Sequence, residues 1–252
     1  KENAPMTIII DFLTKKKIDF IVISDSIHLK KLISKSETFG SYLKKNKIPF
    51  LSLKKLKLKD LKKFTKFGAY GLSTNSIWKF TDDIIKYFDG NLYNYHSADL
   101  PTERGAGCIT WRILLKKEKY NNLNIHKVDN RFDQGDIVLS KKSKKNFKNA
   151  LPVDIYKYQI KLELSFLLDF LKKLLNKKYK FKIIKQNNSN SYYWPRLNSD
   201  IDGQINWNWN AEDIVSFIKG FSYPFNGAFS FIGKSKIRIF NASSHTSKIR
   251  FH

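Results

Sequence analysis

Short apolar runs alternate with helix-like segments along the first part of the chain. The apolar runs predict buried strands at Asp19–Ser24, Ile48–Leu51, Phe67–Ser73 and Asn91–His96. Between them, apolar residues that recur every three or four positions predict helices at 5–16, 36–46 and 81–88. Strands and helices that alternate in this way are typical of an α/β fold. We therefore expect a mostly parallel sheet with helices on both faces.

The pattern changes in the last part of the chain. Residues 153–177 carry apolar side chains at helical spacing and predict one long core helix that follows Pro152. The polar stretch 186–191 is typical of a linker. Beyond it, the sequence predicts a small extension made of one helix and one β-hairpin, at Ala211–Lys219, Phe229–Ile232 and Lys236–Phe240.

Lysine dominates the composition. The 252 residues include 47 Lys and Arg against 22 Asp and Glu, which gives a net charge of +25. Such a charge attracts polyanions, although lysines spread along the chain also fit a compositional drift. We interpret the lysine-rich segment Lys57–Lys66 as a solvated helix face. The single cysteine, Cys108, excludes an internal disulfide. The sequence has no run of about 18 apolar residues and no signal-peptide pattern at 1–10, so we expect a soluble, cytoplasmic protein without a membrane partner.

Two polar segments beside predicted strands are candidates for chemistry. Among the five histidines, only His96 lies between a strand end and a loop rich in polar and small residues, 97–107. A polar turn at 133–136 directly precedes the apolar run 137–139. Ligands of α/β folds bind at the carboxyl ends of strands, so this placement indicates a site. The sequence lacks Cys clusters, His-Glu-x-x-His, Gly-x-Ser-x-Gly and the P-loop motif, which argues against metal, α/β-hydrolase and P-loop chemistry.

Residues 94–105 read Asn-Tyr-His-Ser-Ala-Asp-Leu-Pro-Thr-Glu-Arg-Gly. This segment resembles the Asn-x-His-x-Ser-x-Leu-Pro-x-x-Arg-Gly region of the folate-dependent formyltransferases. A second likeness lies downstream, in Ile-His-Lys-Val-Asp at 125–129 and Phe-Asp-Gln-Gly-Asp-Ile at 132–137. A third, between 203 and 229, is similar to the C-terminal extension of sugar-nucleotide and tRNA formyltransferases. Separate motifs in the right order make the resemblance specific, and it covers nearly the whole chain.

The resemblance also implies how the chain divides. Residues 1–183 would form a Rossmann-like catalytic domain, and residues 184–252 an extension used for dimerisation, so we expect a homodimer. Relatives begin with a short strand before their first helix, and this strand with its loop is expected to be missing from the sequence. The predicted hairpin carries apolar residues that indicate a surface for a partner, namely Phe229, Phe231, Ile237 and Ile239.

Formyl transfer implies roles for three residues. When an amine attacks the formyl group of 10-formyltetrahydrofolate, negative charge develops on the formyl oxygen and the amine must lose a proton. By resemblance, Asn94 would donate an N–H to that oxygen. His96 would polarise the formyl group or carry the proton, and Asp133 would orient the imidazole or hold a relay water. The spacing of Asn94 and His96 places both side chains on one face of a strand.

Further residues are implied as ligand contacts, and no metal is expected. The resemblance assigns the binding of 10-formyltetrahydrofolate to Leu72, Ser73, Ile77, Asp129 and Asp133. It implies three contacts with the amine substrate: Lys79 with a pyrophosphate, Arg104 in its loop, and Tyr223 stacked on a base. Each contact has an alternative, since Lys79 could be solvated, Arg104 could order its loop, and Tyr223 could pack in the core or against a second subunit.

Three kinds of amine compete as the substrate. The segment Gly-Ala-Gly-Cys-Ile-Thr-Trp at 105–111 is more similar to sugar-specific members than to tRNA-specific members, which carry a longer C-terminal barrel. Glycinamide ribonucleotide members usually lack the extension. We therefore expect N-formylation of a nucleotide-linked amino-dideoxy sugar, such as dTDP-4-amino-4,6-dideoxyglucose or a 3-amino isomer, for O-antigen or another surface polysaccharide, with no nucleic-acid partner. A methionyl-tRNA formyltransferase-like enzyme, a non-catalytic nucleic-acid-binding relative and a deformylase-like hydrolase stay open as alternatives.

Overall fold

The computed structural model describes residues 4–117, 122–143 and 145–245. The chain forms two compact units, each assembled from separate stretches of sequence. The first unit comprises 1–101, 122–141 and 160–190, and the second comprises 102–121, 142–159 and 191–252. The expected division at residue 183 into a catalytic part and a dimerisation part stays a prediction.

Helices and strands alternate up to the polar loop, as the apolar pattern predicts. They are α1 Ala4–Lys15, β1 Val22–Ser24, α2 Ser26–Leu29, α3 Phe39–Lys45, β2 Phe50–Ser52, α4 Leu58–Lys62, β3 Gly71–Thr74, α5 Asp82–Tyr87 and β4 Leu92–His96. The remaining elements are β5 Arg104–Gly105, α6 Cys108–Leu114, β6 Asn122–Lys127, β7 Ile137–Lys142, α7 Pro152–Leu175, β8 Tyr193–Trp194, α8 Ala211–Gly220, β9 Ala228–Ile232 and β10 Ser235–Ile239, with a short 3-10 helix at Asn188–Asn190.

The first unit contains two groups of paired strands. β1 and β2 run parallel, and a four-stranded sheet has the order β3–β4–β6–β7. In that sheet β3 and β4 are parallel, whereas β4 and β6 are antiparallel. The expected α/β class is therefore confirmed, with a mixed sheet around β4.

The four strands predicted for this unit are all present, but most begin later than the apolar runs do. The run Phe67–Ser73 is the clearest case, because only Gly71–Thr74 is strand. Gly68 adopts a left-handed backbone with φ of 75°, and its N–H donates to the carbonyl of Tyr87. A left-handed residue turns the chain and cannot continue a strand, so Phe67 is left exposed.

Apolar side chains from helices and strands form the core of the first unit. One cluster joins α1, β1 and α3 through Ile10, Val22, Phe39 and Leu43. In a second cluster, the buried Leu61 packs α4 against the core. The lysines of 57–66 are exposed. This arrangement confirms the interpretation of the lysine-rich segment as a solvated helix face anchored on one apolar side.

The second unit combines α6, α8 and the first part of α7 with two pairs of strands. β5 and β8 are parallel, and β9 and β10 form the predicted antiparallel hairpin. Asn210 caps α8 by accepting a hydrogen bond from the N–H of Asp213. The hairpin surface differs from the prediction, because Phe229 is buried at 4% exposure whereas Phe231 is half exposed. Ala228 and Phe229 are both buried, whereas Phe231 lies nearer the turn of the hairpin, with its ring centre 5.8 Å from that of Phe229.

None of the helices among the described residues is both long enough and apolar enough to span a lipid bilayer.

The Asp25 side chain is buried and accepts several hydrogen bonds, so its contribution to the stability of the fold can be tested. Its carboxylate accepts hydrogen bonds from the N–H groups of Ile27 and His28 at 2.8 and 2.9 Å and from the His28 ring. Burial raises the pKa of Asp25, but the hydrogen bonds from His28 outweigh it and lower the pKa overall. The pKa of Asp25 is thus lower in the folded protein than in the unfolded chain, where it is about 3.9. Ionised Asp25 therefore stabilises the fold above that pH, and this stabilisation is lost as the pH falls through the lower pKa of the folded protein.

We therefore expect Asp25→Ala to reduce the free energy of unfolding by roughly 2–3 kcal/mol at pH 7, because a buried cap and a charged hydrogen bond are lost. The difference from wild type should shrink as the pH falls below the unfolded pKa of about 3.9. Urea unfolding at pH 7 and at an acidic pH below the unfolded pKa measures this difference in the free energy of unfolding. The exposed Asp19→Ala serves as control and should change stability by less than about 0.5 kcal/mol. An equal loss at both pH values would contradict the assignment.

Candidate active site

The pairing of β4 with β6 brings four polar side chains to one face of the sheet. In the antiparallel register Asn94 lies opposite His126, and His96 lies opposite Asn124. Directly opposed residues project to the same side, and residues two apart on one strand share a face. The expected common face for Asn94 and His96 therefore includes two further residues from the neighbouring strand.

Asp133 completes this group from the turn between β6 and β7. Its Oδ1 atom lies 3.3 Å from Asn94 Nδ2 and 3.3 Å from His126 Nε2. Its Oδ2 atom lies 3.7 Å from His96 Nδ1. The side chains of Asn94, His96, His126 and Asp133, called here the polar cluster, thus surround a single carboxylate. The structure brings the three residues predicted as catalytic together and adds a second histidine.

The turn that carries Asp133 is held by close backbone packing. Asp133 has a left-handed backbone with φ of 52°, a conformation that non-glycine residues adopt rarely. A Cβ atom at Gly135 would overlap the carbonyl oxygen of Lys127, so only glycine fits there. Gln186 fastens the turn from outside, because its Nε2 donates to the carbonyls of Asp133 and Gly135 at 2.9 and 2.7 Å.

His126 is a functional candidate that the sequence did not single out. It is 2% exposed, and its Nδ1 lies 2.7 Å from the carbonyl oxygen of Lys127. A carbonyl only accepts hydrogen bonds, so Nδ1 carries the hydrogen. In the neutral ring Nε2 is then an acceptor, and it faces Asn94 Nδ2 at 3.1 Å. The signal available in the sequence was its place in the second formyltransferase-like motif.

Asn94 is engaged inside the polar cluster. Its amide nitrogen has two hydrogens and lies within reach of two acceptors, Asp133 Oδ1 and His126 Nε2. The separation of 3.3 Å from Asp133 is long for an N–H···O bond, which usually measures about 2.9–3.0 Å. Asn94 can therefore give up this contact at small cost when a better acceptor enters the site.

The loop that follows His96 is anchored next to the cluster. Asn124, 1% exposed, donates from Nδ2 to the carbonyl of Ala98 at 2.6 Å. Its Oδ1 accepts from the hydroxyl of Ser140 at 2.5 Å. The His96 ring is 7% exposed, and its centre lies 6.5 Å from that of His126. The two imidazoles therefore share a buried environment at the end of β4.

The residues predicted to bind folate all lie in the first unit, at different distances from the polar cluster. Ser73 pairs with Asn94 across β3 and β4, and its hydroxyl is buried without a hydrogen-bond partner among the described residues. Leu72 precedes it on the strand. Ile77 is 44% exposed in the loop beyond β3. Asp129 is held by Arg131, whose N–H and guanidinium lie 2.9 and 3.0 Å from the carboxylate.

The three residues predicted to contact the amine substrate divide between the two units. Lys79 lies in the first unit, with Nζ 5.8 Å from the centre of the Phe132 ring beside Asp133. Arg104 and Tyr223 lie in the second unit. Arg104 is 4% exposed on β5, which favours the alternative that it orders its loop. Tyr223 is 60% exposed and stacks on Phe240 at 4.4 Å between ring centres.

Within the described ranges, no group of three or more His, Cys, Asp or Glu side chains is arranged to hold a metal ion.

Comparison with known proteins agrees with these features. Residues 199–250 match the family model described as the formyl transferase C-terminal domain. The bifunctional polymyxin resistance protein ArnA of Wigglesworthia glossinidia brevipalpis is 29% identical over 245 residues, which is 93% of this chain and 35% of that protein. Methionyl-tRNA formyltransferase of Malacoplasma penetrans is 28% identical over 219 residues, covering 81% of this chain and 67% of that one. The chain thus spans only about a third of the first relative.

Solved structures show the same fold at lower identity. A sugar N-formyltransferase from a Shewanella species superposes with a TM-score of 0.70 at 18% identity, covering 97% of this chain and 95% of that one. An N-formyltransferase from Helicobacter canadensis, solved with folinic acid and dTDP-3-aminofucose, gives 0.66 at 19% identity, covering 88% and 77%. Residues 199–250 thus match a formyl transferase C-terminal domain, and over most of its length the chain is similar to formyltransferases in sequence and in fold.

Proposed function

We propose that this protein is an N-formyltransferase that moves a formyl group from 10-formyltetrahydrofolate to the amine of a nucleotide-linked amino-dideoxy sugar. The observation that carries the proposal is the polar cluster, in which Asn94, His96 and His126 surround the carboxylate of Asp133. An amide donor, two imidazoles and a carboxylate are the groups that acyl transfer to an amine requires.

The chemistry assigns a task to each member of the cluster. As an amine adds to a formyl carbon, the formyl oxygen becomes negative and the nitrogen becomes acidic. An N–H of Asn94 stabilises the oxygen, and a donor of this kind contributes about 2.7–4 kcal/mol to catalysis. His96 accepts the proton of the amine, directly or through water, and the Asp133 carboxylate 3.7 Å away stabilises the positive ring that results. As the intermediate collapses, the bond between the formyl carbon and N10 of the folate breaks, and the same proton passes to N10, so that tetrahydrofolate leaves.

His126 positions the cluster and does not react itself. Its bond to the Lys127 carbonyl fixes the ring, so that Nε2 stays directed at Asn94. Asn94 can redirect one of its two N–H groups from Asp133 to a formyl oxygen. The other N–H stays hydrogen-bonded to His126, so the amide keeps its orientation. The site is thus assembled before the ligand arrives, which lowers the entropic cost of reaching the transition state.

Two residues close to the cluster fit the proposed ligands. The buried hydroxyl of Ser73 lacks a partner among the described residues and offers a hydrogen bond to the folate that would lie beside Asn94. The ammonium group of Lys79 lies near Phe132 at the Asp133 turn and suits a pyrophosphate. The structure from Helicobacter canadensis holds folinic acid and dTDP-3-aminofucose, which supports a folate donor and a dTDP-sugar acceptor for this chain.

A methionyl-tRNA formyltransferase activity is the second candidate. The relative from Malacoplasma penetrans aligns with 81% of this chain, and a net charge of +25 would favour a polyanionic substrate. The sugar substrate is preferred because a sugar N-formyltransferase from a Shewanella species shares the fold over 97% of this chain. A cytoplasmic homodimer that serves O-antigen synthesis belongs to the same proposal, with the half-exposed Phe231 of the hairpin as a contact.

The substrate class is tested with the purified chain, 10-formyltetrahydrofolate and a set of amines. The set contains dTDP-linked 3-amino and 4-amino dideoxy sugars, their UDP and GDP counterparts, and charged initiator tRNA. We expect formylated sugar nucleotide by mass spectrometry and tetrahydrofolate in equal amount. Activity with tRNA alone would favour the second candidate, and folate turnover without any amine would indicate a hydrolase. Salt-dependent nucleic-acid binding without turnover would contradict both proposed activities.

Replacing the oxyanion donor should slow the reaction strongly. We expect Asn94→Ala to lower kcat by about 100-fold or more while the KM values change little, because the donor acts mainly in the transition state. Steady-state kinetics measures this effect, and the exposed Asn190→Ala is the matched control with wild-type rates. A decrease smaller than about tenfold would contradict the role given to Asn94.

Gln186 should matter through the Asp133 turn that it fastens. Gln186→Leu removes two hydrogen bonds to backbone carbonyls, so Asp133 should be placed less accurately and kcat should fall by roughly 10–100-fold. The KM for the sugar nucleotide should stay within about threefold, because Gln186 has no proposed contact with it. The neighbouring Lys185→Leu, at an exposed position, is the control. Equal losses in both variants, or a change confined to KM, would show that Gln186 does not position Asp133.

A further inference from the structure

The strand β4 carries part of the polar cluster on one face and packs on α7 with the other. Asn94 and His96 lie on the first face, so Tyr93 and Tyr95, which alternate with them, project to the second. The part of α7 that they meet belongs to the same unit, within residues 160–190. The position of β4 on this helix therefore affects where Asn94 and His96 lie.

Two aromatic contacts join the strand to the helix. The Tyr93 ring centre lies 5.4 Å from that of Phe170, and the Tyr95 ring centre lies 6.2 Å from that of Phe166. All four side chains are buried. The hydrophobic effect is non-directional, so these contacts hold the strand against the helix but define its position along the helix only loosely.

A hydrogen bond lies beside these aromatic contacts. The hydroxyl of Tyr95 donates to Oε1 of Glu163 at 2.8 Å. Glu163 is 2% exposed, and it precedes Phe166 by three residues, so both lie on the same face of α7. A hydrogen bond has a preferred length and direction. The bond to Glu163 thus defines where Tyr95 lies on the helix.

A carboxyl group is unusual at this position. A glutamate is rarely buried unless its carboxyl is paired or hydrogen-bonded, because removing it from water costs free energy. The neighbouring buried residues of α7 in this unit are apolar, namely Phe166, Leu167, Phe170 and Leu171. An apolar residue could fill the same space, but it could not supply a hydrogen bond of defined geometry to the Tyr95 hydroxyl.

We propose that Glu163 is a positioning residue for the polar cluster. Through the Tyr95 hydroxyl, Glu163 determines where β4 lies on α7, and with it the placing of the cluster residues on that strand. Asp133 lies on a turn that Gln186 holds separately. A displacement of β4 would therefore change the separation of 3.7 Å between His96 Nδ1 and Asp133 Oδ2. The effect on rate rests on the proposed function, and a misplacement of about 1 Å can cost roughly 100-fold.

The two hydrogen-bonding partners are replaced singly and together in the full chain, and formyl transfer is measured well below the Tm of each variant. We expect Tyr95→Phe and Glu163→Leu each to lower kcat about tenfold, with KM values within about threefold of wild type. The double variant should lose no more than Glu163→Leu alone, because the same bond is already absent. Glu163→Gln keeps an oxygen that can accept from Tyr95 and should recover most of the rate.

Tyr93→Phe is the matched control. Tyr93 lies on the same strand face as Tyr95, is equally buried at 5% exposure, and packs on α7 against Phe170. Its replacement should leave kcat and KM at wild-type values. If Glu163→Leu does not fold, Tyr95→Phe, which removes a single hydroxyl, provides the same comparison with this control.

NMR signals of the Asn94 side-chain amide and the His96 ring report the placing of the cluster without any substrate. They should move in Tyr95→Phe and in Glu163→Leu and keep their wild-type positions in Tyr93→Phe. Unchanged signals in the first two variants would overturn the proposal, as would an equal loss of rate in Tyr93→Phe or a change confined to KM. Absence of formyl transfer in the wild-type chain would count against the proposed function instead, and the NMR comparison would still decide whether Glu163 positions the cluster.

Discussion

The antiparallel register between β4 and β6 is the constraint on which the candidate site depends. It sets Asn94 opposite His126 and His96 opposite Asn124, so one sheet face carries both donors and both rings. A shift by a single residue would turn every one of these side chains to the other face. The apolar residues Tyr93, Tyr95, Leu123 and Ile125 alternate with them and are buried. The packing of the core therefore determines the register of β4 and β6, and the register determines which polar side chains lie together at the candidate site.

The turn at Asp133 supplies what the strands cannot. A carboxylate between two imidazoles and an amide has to enter from outside the sheet, and the left-handed backbone of Asp133 directs it there. Gly135 lets the turn approach Lys127 closely, and Gln186 holds two of its carbonyls. The arrangement is built from a strained residue and its supports, a combination that is typical of functional sites.

Many features of the fold could be predicted from the sequence because they depend on residues close together in the chain. Strand and helix positions follow the apolar pattern, and the spacing of Asn94 and His96 places them on one strand face. Strand starts were less predictable, since the turn at Gly68 depends on a hydrogen bond to Tyr87, distant in sequence. His126 and Gln186 were missed for the same reason. Their roles arise from pairing across β4 and β6 and from a contact 53 residues away, which no local pattern records.

The most direct test of the central claim is a crystal structure of the chain bound to 5-formyltetrahydrofolate, a stable relative of the proposed donor. We expect a formyl oxygen about 3 Å from Asn94 Nδ2 and the His96 ring beside the formyl carbon. The Asn94 amide should then no longer donate to Asp133 but should still donate to His126. A folate bound elsewhere, with Asn94 unchanged inside the polar cluster, would contradict the assignment of this cluster as a formyl-transfer site.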